Sequence, residues 1–262
     1  MGRDWKYIVG FATAVCLVCS VIVAGSAVGL RELQDTNKVL DRQKKVLIVA
    51  GLLAEDAQVS ADEVQRLFKE NVRPRVVDLA TGQYDDKTDA ATFDQQKALK
   101  DPNASHKAET PEARAAGIQR LPNKALVFEI VAGKDIEMVI LPIEGKGLWS
   151  TLYGYLAVGR DGNTIRGITF YQHGETPGLG GEVDNPKWKA LWPGRKAYDA
   201  EGHAAIGVIK GQAPGAAEAP HKVDGLSGAT ITSNGVTKLV RFWLGDGGFG
   251  KFLAGFRKAE RA

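Results

Sequence analysis

The chain has 262 residues, 44% of them apolar and 25% charged, enough for a membrane anchor and one or two globular units. Its formal net charge is +3, and Lys and Arg are scattered among acids rather than gathered into a basic stripe, which excludes a nucleic-acid partner. The two cysteines, Cys16 and Cys19, both fall in one apolar run, so the polar part of the chain has no disulfide, thiolate metal site or iron–sulfur cluster of its own.

That run, from Ile8 to Leu30, carries no charge. As a helix it is about 34 Å long, enough to cross a hydrocarbon core and too long for the apolar region of a signal peptide. Gly25, Ser26 and Ala27 are small and would suit cleavage, so a processed leader is the competing reading. Arg3 and Lys6 precede the run, whereas Arg31, Lys38, Arg42, Lys44 and Lys45 follow it. Counting Lys and Arg alone favours the C-terminal side as cytoplasmic, whereas a span with so short an N-terminal tail resembles a signal anchor.

Apolar spacing predicts a helix over Asp35–Glu55. Ser60, three places before Glu63, predicts a capped helix over Ala61–Glu70, ended by Arg73-Pro74, then a short strand over Arg75–Leu79 and a turn at Thr81-Gly82. Tyr84–Gln119 is polar and reads as a surface insertion with a helix over Thr92–Lys100. Strands follow at Ala125–Val131 and Ile136–Leu141, turned by Gly133-Lys134-Asp135, and at Leu152–Val158 and Thr164–Tyr171, turned by Asp161-Gly162. Ile206–Ile209 reads as one more strand. Thr232 or Ser233 caps a helix over Gly235–Leu244, and a last helix runs from Phe249 to about Lys258. The class is α+β: an anchor helix, then an antiparallel sheet flanked by helices. The expected divisions are 1–34 for tail and anchor, 35–120 for a helical and insertion region, and 121–262 for the ligand-binding domain.

Two Gly-rich stretches could carry chemistry. His173–Glu182 is neither a P-loop nor a dinucleotide fingerprint, yet its glycines imply tight turns or close backbone approach. Asp224–Gly235 crowds Ser227, Thr230, Thr232 and Ser233 at a helix start, which suits either a phosphate or an ordinary Ser/Thr cap. The four histidines lack zinc-site spacing, and no nucleophile-elbow motif occurs. Of the tryptophans, Trp149, beside Gly147 and Ser150, is the best candidate to stack on a ring.

Asp224-Gly225-Leu226-Ser227-Gly228-Ala229-Thr230 matches the flavinylation motif Asp-x-x-(Ser/Thr)-Gly-Ala-(Thr/Ser) of FMN-binding domains without departure. Together with the anchor, Asn71–Gly82, Gly145–Gly154 and the His173–Glu182 loop, it resembles the family of the C subunit of the sodium-translocating NADH:quinone reductase (Nqr). The related G-subunit family of Rnf complexes is the alternative. The resemblance implies FMN joined through its phosphate to Thr230 by a flavin transferase that uses FAD. It implies a phosphate environment of Ser227, Gly228 and Ala229 with Lys222 as counter-charge. On the same resemblance Glu175, Thr176, Gly178 and Leu179 are expected to lie against the flavin, with Leu148, Trp149 and Ser150 next to them. It further implies a one-electron relay among the other members of a complex of six subunits in the bacterial inner membrane, the flavin domain on the periplasmic side, against the charge count. No metal ligand is expected. A non-redox membrane-anchored scaffold and a self-standing flavin reductase are the readings from other classes.

Overall fold

A computed structural model describes residues 4–133 and 135–261; Arg3 and Lys134 lie outside them. The chain divides into two units, Met1–Arg42 and Gln43–Ala262.

The first unit is helical. Helix α1 (Asp4–Gly29) is long and apolar enough to cross a membrane and has no buried residue. Cys16 and Cys19 are exposed on it and unpaired. Helix α2 (Arg31–Val49) begins in this unit.

In the second unit, the end of α2 buries Val46, Leu47 and Val49. The helix stops before the Glu55 expected from the spacing. Gly51, at φ +73, takes the left-handed conformation, and Leu52 N–H closes back onto the Leu47 carbonyl at 3.0 Å. That is a glycine-terminated helix end, which apolar periodicity alone does not reveal. Helix α3 (Ala61–Asn71) starts at the predicted cap, with the Ser60 hydroxyl accepting from Glu63 N–H at 3.2 Å. It passes directly into strand β1 (Val72–Asp78), which contains Pro74 rather than following it. The neighbour on the outer side, β2 (Gln83–Tyr84), reaches only Val77 and Asp78, so Pro74 sits on an open edge where no ladder donor is needed.

The polar stretch after β2 is more structured than a surface insertion. It forms α4 (Gln95–Lys100), β3 (Ser105–Lys107), α5 (Pro111–Ala115) and β4 (Arg120–Pro122), with β3 antiparallel to β4. Ala108, Ala113, Ala116, Ile118 and Leu121 from this stretch enter the main core. Small apolar residues dispersed among charges hide that role from a composition reading.

The main sheet adds β5 (Lys124–Ala132), β6 (Asp135–Lys146), β7 (Thr151–Gly159) and β8 (Ile165–Gln172), in the order β2-β1-β5-β6-β7-β8, with every pairing antiparallel. The Asp161-Gly162 turn is tied by the Asp161 carboxylate, which accepts from Asn163 and Thr164 N–H, with Gly162 at φ +62. After β8 come a 3-10 turn (Gly180–Asp184) and α6 (Pro186–Lys189). Then β9 (Gly207–Val208) and β10 (Lys222–Val223) pair in parallel, apart from the main sheet.

Helices α7 (Thr230–Leu244) and α8 (Gly250–Arg261) complete the chain. Val236, Leu239, Val240, Trp243 and Phe252 from them share one core with Val127, Leu141, Ile143 and Leu156 of the sheet. Gly145 and Gly235 permit the close approach. A β-carbon on Gly145 would strike Leu239, and one on Gly235 the Lys146 carbonyl. The sheet's opposite face carries Phe128, Tyr155 and Tyr171, and Phe68 of α3 extends the row, with centroids 6.0, 5.8 and 5.0 Å apart from Phe68 onward. The result brings the β6–β7 connection (147–150), the loop after β8 and the start of α7 together.

Candidate functional site at the start of helix α7

The loop 224–229 joins β10 to α7 and is tied down on both sides. The Asp224 carboxylate accepts from Ala213 N–H at 2.9 Å, and the Asp224 carbonyl accepts from the Trp188 indole N–H at 2.9 Å. Gly225 passes so close to the Ile209 carbonyl that no side chain fits there. Gly228 takes φ +69.

Helix α7 begins at Thr230, five residues before the Gly235 expected from the sequence, and Ala229 at its N-cap offers no side-chain bond. Thr232 and Ser233, expected as caps, spend their hydroxyls elsewhere. Ser233 Oγ accepts from Leu226 N–H at 3.1 Å, and Thr232 Oγ1 donates to Glu175 Oε2 at 2.7 Å. The first turn therefore has no side-chain cap over its amides, and the positive end of the helix dipole is presented beside an exposed Thr230 hydroxyl.

A cavity of about 490 Å³ adjoins this point, walled by Lys210, Asp224, Ser227, Gly228, Thr230 and Asn234 among others. Lys210 is the cation there. Lys222, expected from the sequence as counter-charge, is exposed on β10 and is not part of that wall. Its closeness to the motif along the chain is the only signal for it. Lys210 comes from the far side of the parallel β9–β10 pair, which no local pattern reports.

Glu175 is 5% exposed and turned inward. Its Oε1 accepts from Trp149 N–H at 2.9 Å and Ser150 N–H at 3.2 Å, and its Oε2 from Leu148 N–H at 3.1 Å and the Thr232 hydroxyl. Burial pushes its carboxyl upward, but the Thr232 hydroxyl and the three amides outweigh that and hold it below the ordinary value. Three consecutive amides facing one carboxylate form an anion nest, here filled by the protein's own side chain. Ser150 Oγ also accepts from Gly174 N–H at 2.7 Å, a second tie between the two loops.

The outer surface of the same region is apolar. Leu148 is 40% exposed, Trp149 67%, Leu179 44% and Ile231 58%. Beyond these four, Leu52 alone is a large apolar side chain so exposed among the described residues of the second unit, and the four come from the three segments that meet at Glu175. Thr176 and Gly178 are exposed on the same loop, with Gly178 at φ +75 and the Thr176 carbonyl accepting from Leu179 and Gly181 N–H. The other tryptophans of this unit are packing residues. Trp188, Trp192 and Trp243 are buried, the last donating its indole N–H to the Glu144 carbonyl at 2.7 Å. Among the described residues no His, Cys, Asp and Glu cluster could hold a metal. His173 instead contacts Asp184 at 2.8 Å.

An uncapped helix start, an exposed hydroxyl on its first turn, one cavity lysine and an exposed apolar patch suit a ligand with a phosphate at one end and a flat apolar body at the other. Residues 147–245 match the FMN-binding domain family. The chain is 50% identical over 245 residues to the C subunit of the Na(+)-translocating NADH-quinone reductase of Yersinia pestis, covering 93% of this chain and 90% of that one. It is 50% identical over 250 residues to the C subunit of the same reductase from Pseudomonas aeruginosa, covering 95% of each. The fold matches the crystal structure of Shewanella oneidensis NqrC with a TM-score of 0.73 at 36% identity, over 82% of this chain and 96% of that one. It matches the crystal structure of the corresponding protein from Parabacteroides distasonis with a TM-score of 0.64 at 28% identity, over 86% and 96%. With half its residues shared over nearly its whole length, the chain belongs to the family of the C subunit of the Na(+)-translocating NADH-quinone reductase.

Proposed function

We propose that this chain is the FMN-bearing electron-carrier subunit of a membrane-bound Na(+)-translocating NADH:quinone oxidoreductase, with FMN joined by a phosphoester bond to Thr230 Oγ1. The observation that carries the reading is the position of Thr230. The last residue of an unbroken flavinylation motif stands exposed on the first turn of a helix whose amides have no side-chain cap.

The residues divide the work by chemistry. The α7 amides, with Ser227, Gly228 and Ala229 of the motif loop, would hold the phosphate, and Lys210 in the cavity wall would supply positive charge. Lys222 adds longer-range attraction at most. Leu148, Trp149, Leu179 and Ile231 offer an apolar seat for the ring system, with Thr176, Gly178 and Ser150 along its margin. Glu175 acts beneath that surface, through the loop amides. When bound, FMN supplies reversible acceptance and donation of electrons. A covalent tether prevents loss of the carrier without constraining the ring, and the exposed patch leaves an edge open to partners.

In this reading α1 is a single-pass anchor in the bacterial inner membrane, residues 35–120 are the helical and insertion region, and residues 121–262 form the flavin domain. The domain faces the periplasm, where a flavin transferase loads it from FAD. The other five subunits pass electrons to it and take them away. The test is intact mass of the chain from its native membrane beside Thr230→Ala and Thr230→Ser variants. The expected result is the mass of FMN less one water in the native chain and in Thr230→Ser, and none in Thr230→Ala. A native chain of unmodified mass overturns the proposal.

A further inference from the structure

We propose that Glu175 is a positioning residue for the flavin site, setting the distance between the aromatic seat and the phosphate acceptor; this rests on the flavin reading of the site. Three separate pieces of chain meet at one buried carboxylate: the 148–150 amides, the loop that carries Glu175 itself, and Thr232 on α7, 57 residues away. Trp149 and Leu148 belong to the first piece, Leu179 to the second and Thr230 to the third. The segments that carry the ring seat and the phosphate acceptor therefore share one anion as their common tie, with the Ser150–Gly174 bond joining two of them besides.

The space around the carboxylate is closed to substitutes. A β-carbon on Gly147 would come within 2.6 Å of Glu175 Oε1, and one on Gly180 within 2.8 Å of Oε2 and 2.6 Å of Thr232 Oγ1. Both glycines leave room for the clamp to form. The arrangement also separates two anion sites that lie close together. Glu175 occupies the 148–150 nest, and it makes no bond to the first-turn amides of α7, which remain for a phosphate. A shortened or neutral side chain at 175 would leave the nest partly unfilled and loosen the seat without touching Thr230.

Glutamine at 175 keeps the shape but not the acceptors. One of its ends is an NH2 group, so at least one of the Leu148, Trp149 and Ser150 amides loses its partner, while the Thr232 hydroxyl can turn to accept. Thr232→Val removes the α7 arm of the clamp and leaves the nest filled.

The experiment uses the full chain in two forms. In the unmodified Thr230→Ala background, amide exchange at 148–150 reads the clamp alone. Glu175→Gln is expected to speed it roughly tenfold, with the rest of the domain unchanged. In the transferase-loaded chain, the visible absorption and emission of the attached flavin and its midpoint potential read the positioning. Both Glu175→Gln and Thr232→Val are expected to carry FMN by mass but to shift the absorption band and raise the emission, with Glu175→Asp between them and wild type. Unchanged exchange overturns the clamp. Faster exchange with an unchanged flavin spectrum and potential reduces Glu175 to a stabilising role and overturns the positioning proposal alone. A wild-type chain that carries no FMN removes the flavin reading and the positioning role together, and the mass spectrum identifies that case.

Discussion

Gly228 and Leu179 stand so close that a β-carbon on the glycine would lie 2.9 Å from Leu179 Cδ2, although 49 residues separate them in the chain. The steric conflict is mild, because an exposed leucine tip can move aside. The backbone is the stricter constraint, since φ +69 costs a residue with a side chain about 1–2 kcal/mol. Gly228→Ala is therefore expected to destabilise the domain by that amount, read as a lower denaturation midpoint in urea with an unchanged slope, and to reduce the fraction of chains carrying FMN.

Lys210 and Lys222 make a paired test. Both are exposed, but Lys210 alone belongs to the wall of the cavity beside Thr230. An exposed ion pair is worth about 0.2–1 kcal/mol, so Lys210→Ala is expected to slow flavin attachment by at most about fivefold at low salt, with the effect fading as salt rises. Lys222→Ala is expected to leave the rate close to wild type. Equal effects of the two variants would point to general charge rather than to a lysine at the cavity.

The Glu175 carboxyl makes part of the domain's stability depend on pH. Its folded value lies below the ordinary 4.5, so the unfolded chain binds the proton more readily than the folded one. The contribution is thus fully present above about pH 4.5 and is lost as pH falls through the folded value. The stability gap between wild type and Glu175→Gln is expected to be constant near neutrality and to narrow below about pH 4.5, measured by denaturant titration. A gap that ignores pH throughout the acid range would mean that the carboxylate's charge is not what the amides recognise.

Two tryptophans are expected to separate fold from site. Trp149 is 67% exposed, and Trp149→Ala is expected to change stability by no more than about 0.5 kcal/mol while altering flavin emission. Trp243 is fully buried against Phe242 and Phe249, and Trp243→Ala is expected to cost about 3–5 kcal/mol. Thermal unfolding and flavin fluorescence on the same samples check both.

What can be read from the sequence is local. The two main hairpins and the Ser60 cap are legible because each is a short pattern with a nearby physical cause. Helix α7 starts earlier than its sequence suggests because Thr232 and Ser233 have the chemistry of caps, and nothing in a run of residues says that their hydroxyls serve Glu175 and Leu226 instead. The segment 84–119 has the look of surface because Ala113, Ala116 and Ile118 are sparse among charges, yet they enter the core. Glu175 is expected beside the flavin only through the resemblance, and nothing in its own run says that it faces inward, since its partners come from two other parts of the chain. Lys210 goes unread for the same reason.

The uncapped start of α7 also sets an order of events. Thr230 is held on a formed helix, behind a left-handed glycine, beside a loop pinned through Asp224 and Leu226. Such an acceptor exists only once strands β9 and β10 and the helix have come together. On the flavin reading, the loading enzyme meets a finished surface rather than a nascent chain. Errors in assembling the domain would then surface as colourless protein, and the yellow of the mature protein would report correct folding in the cell.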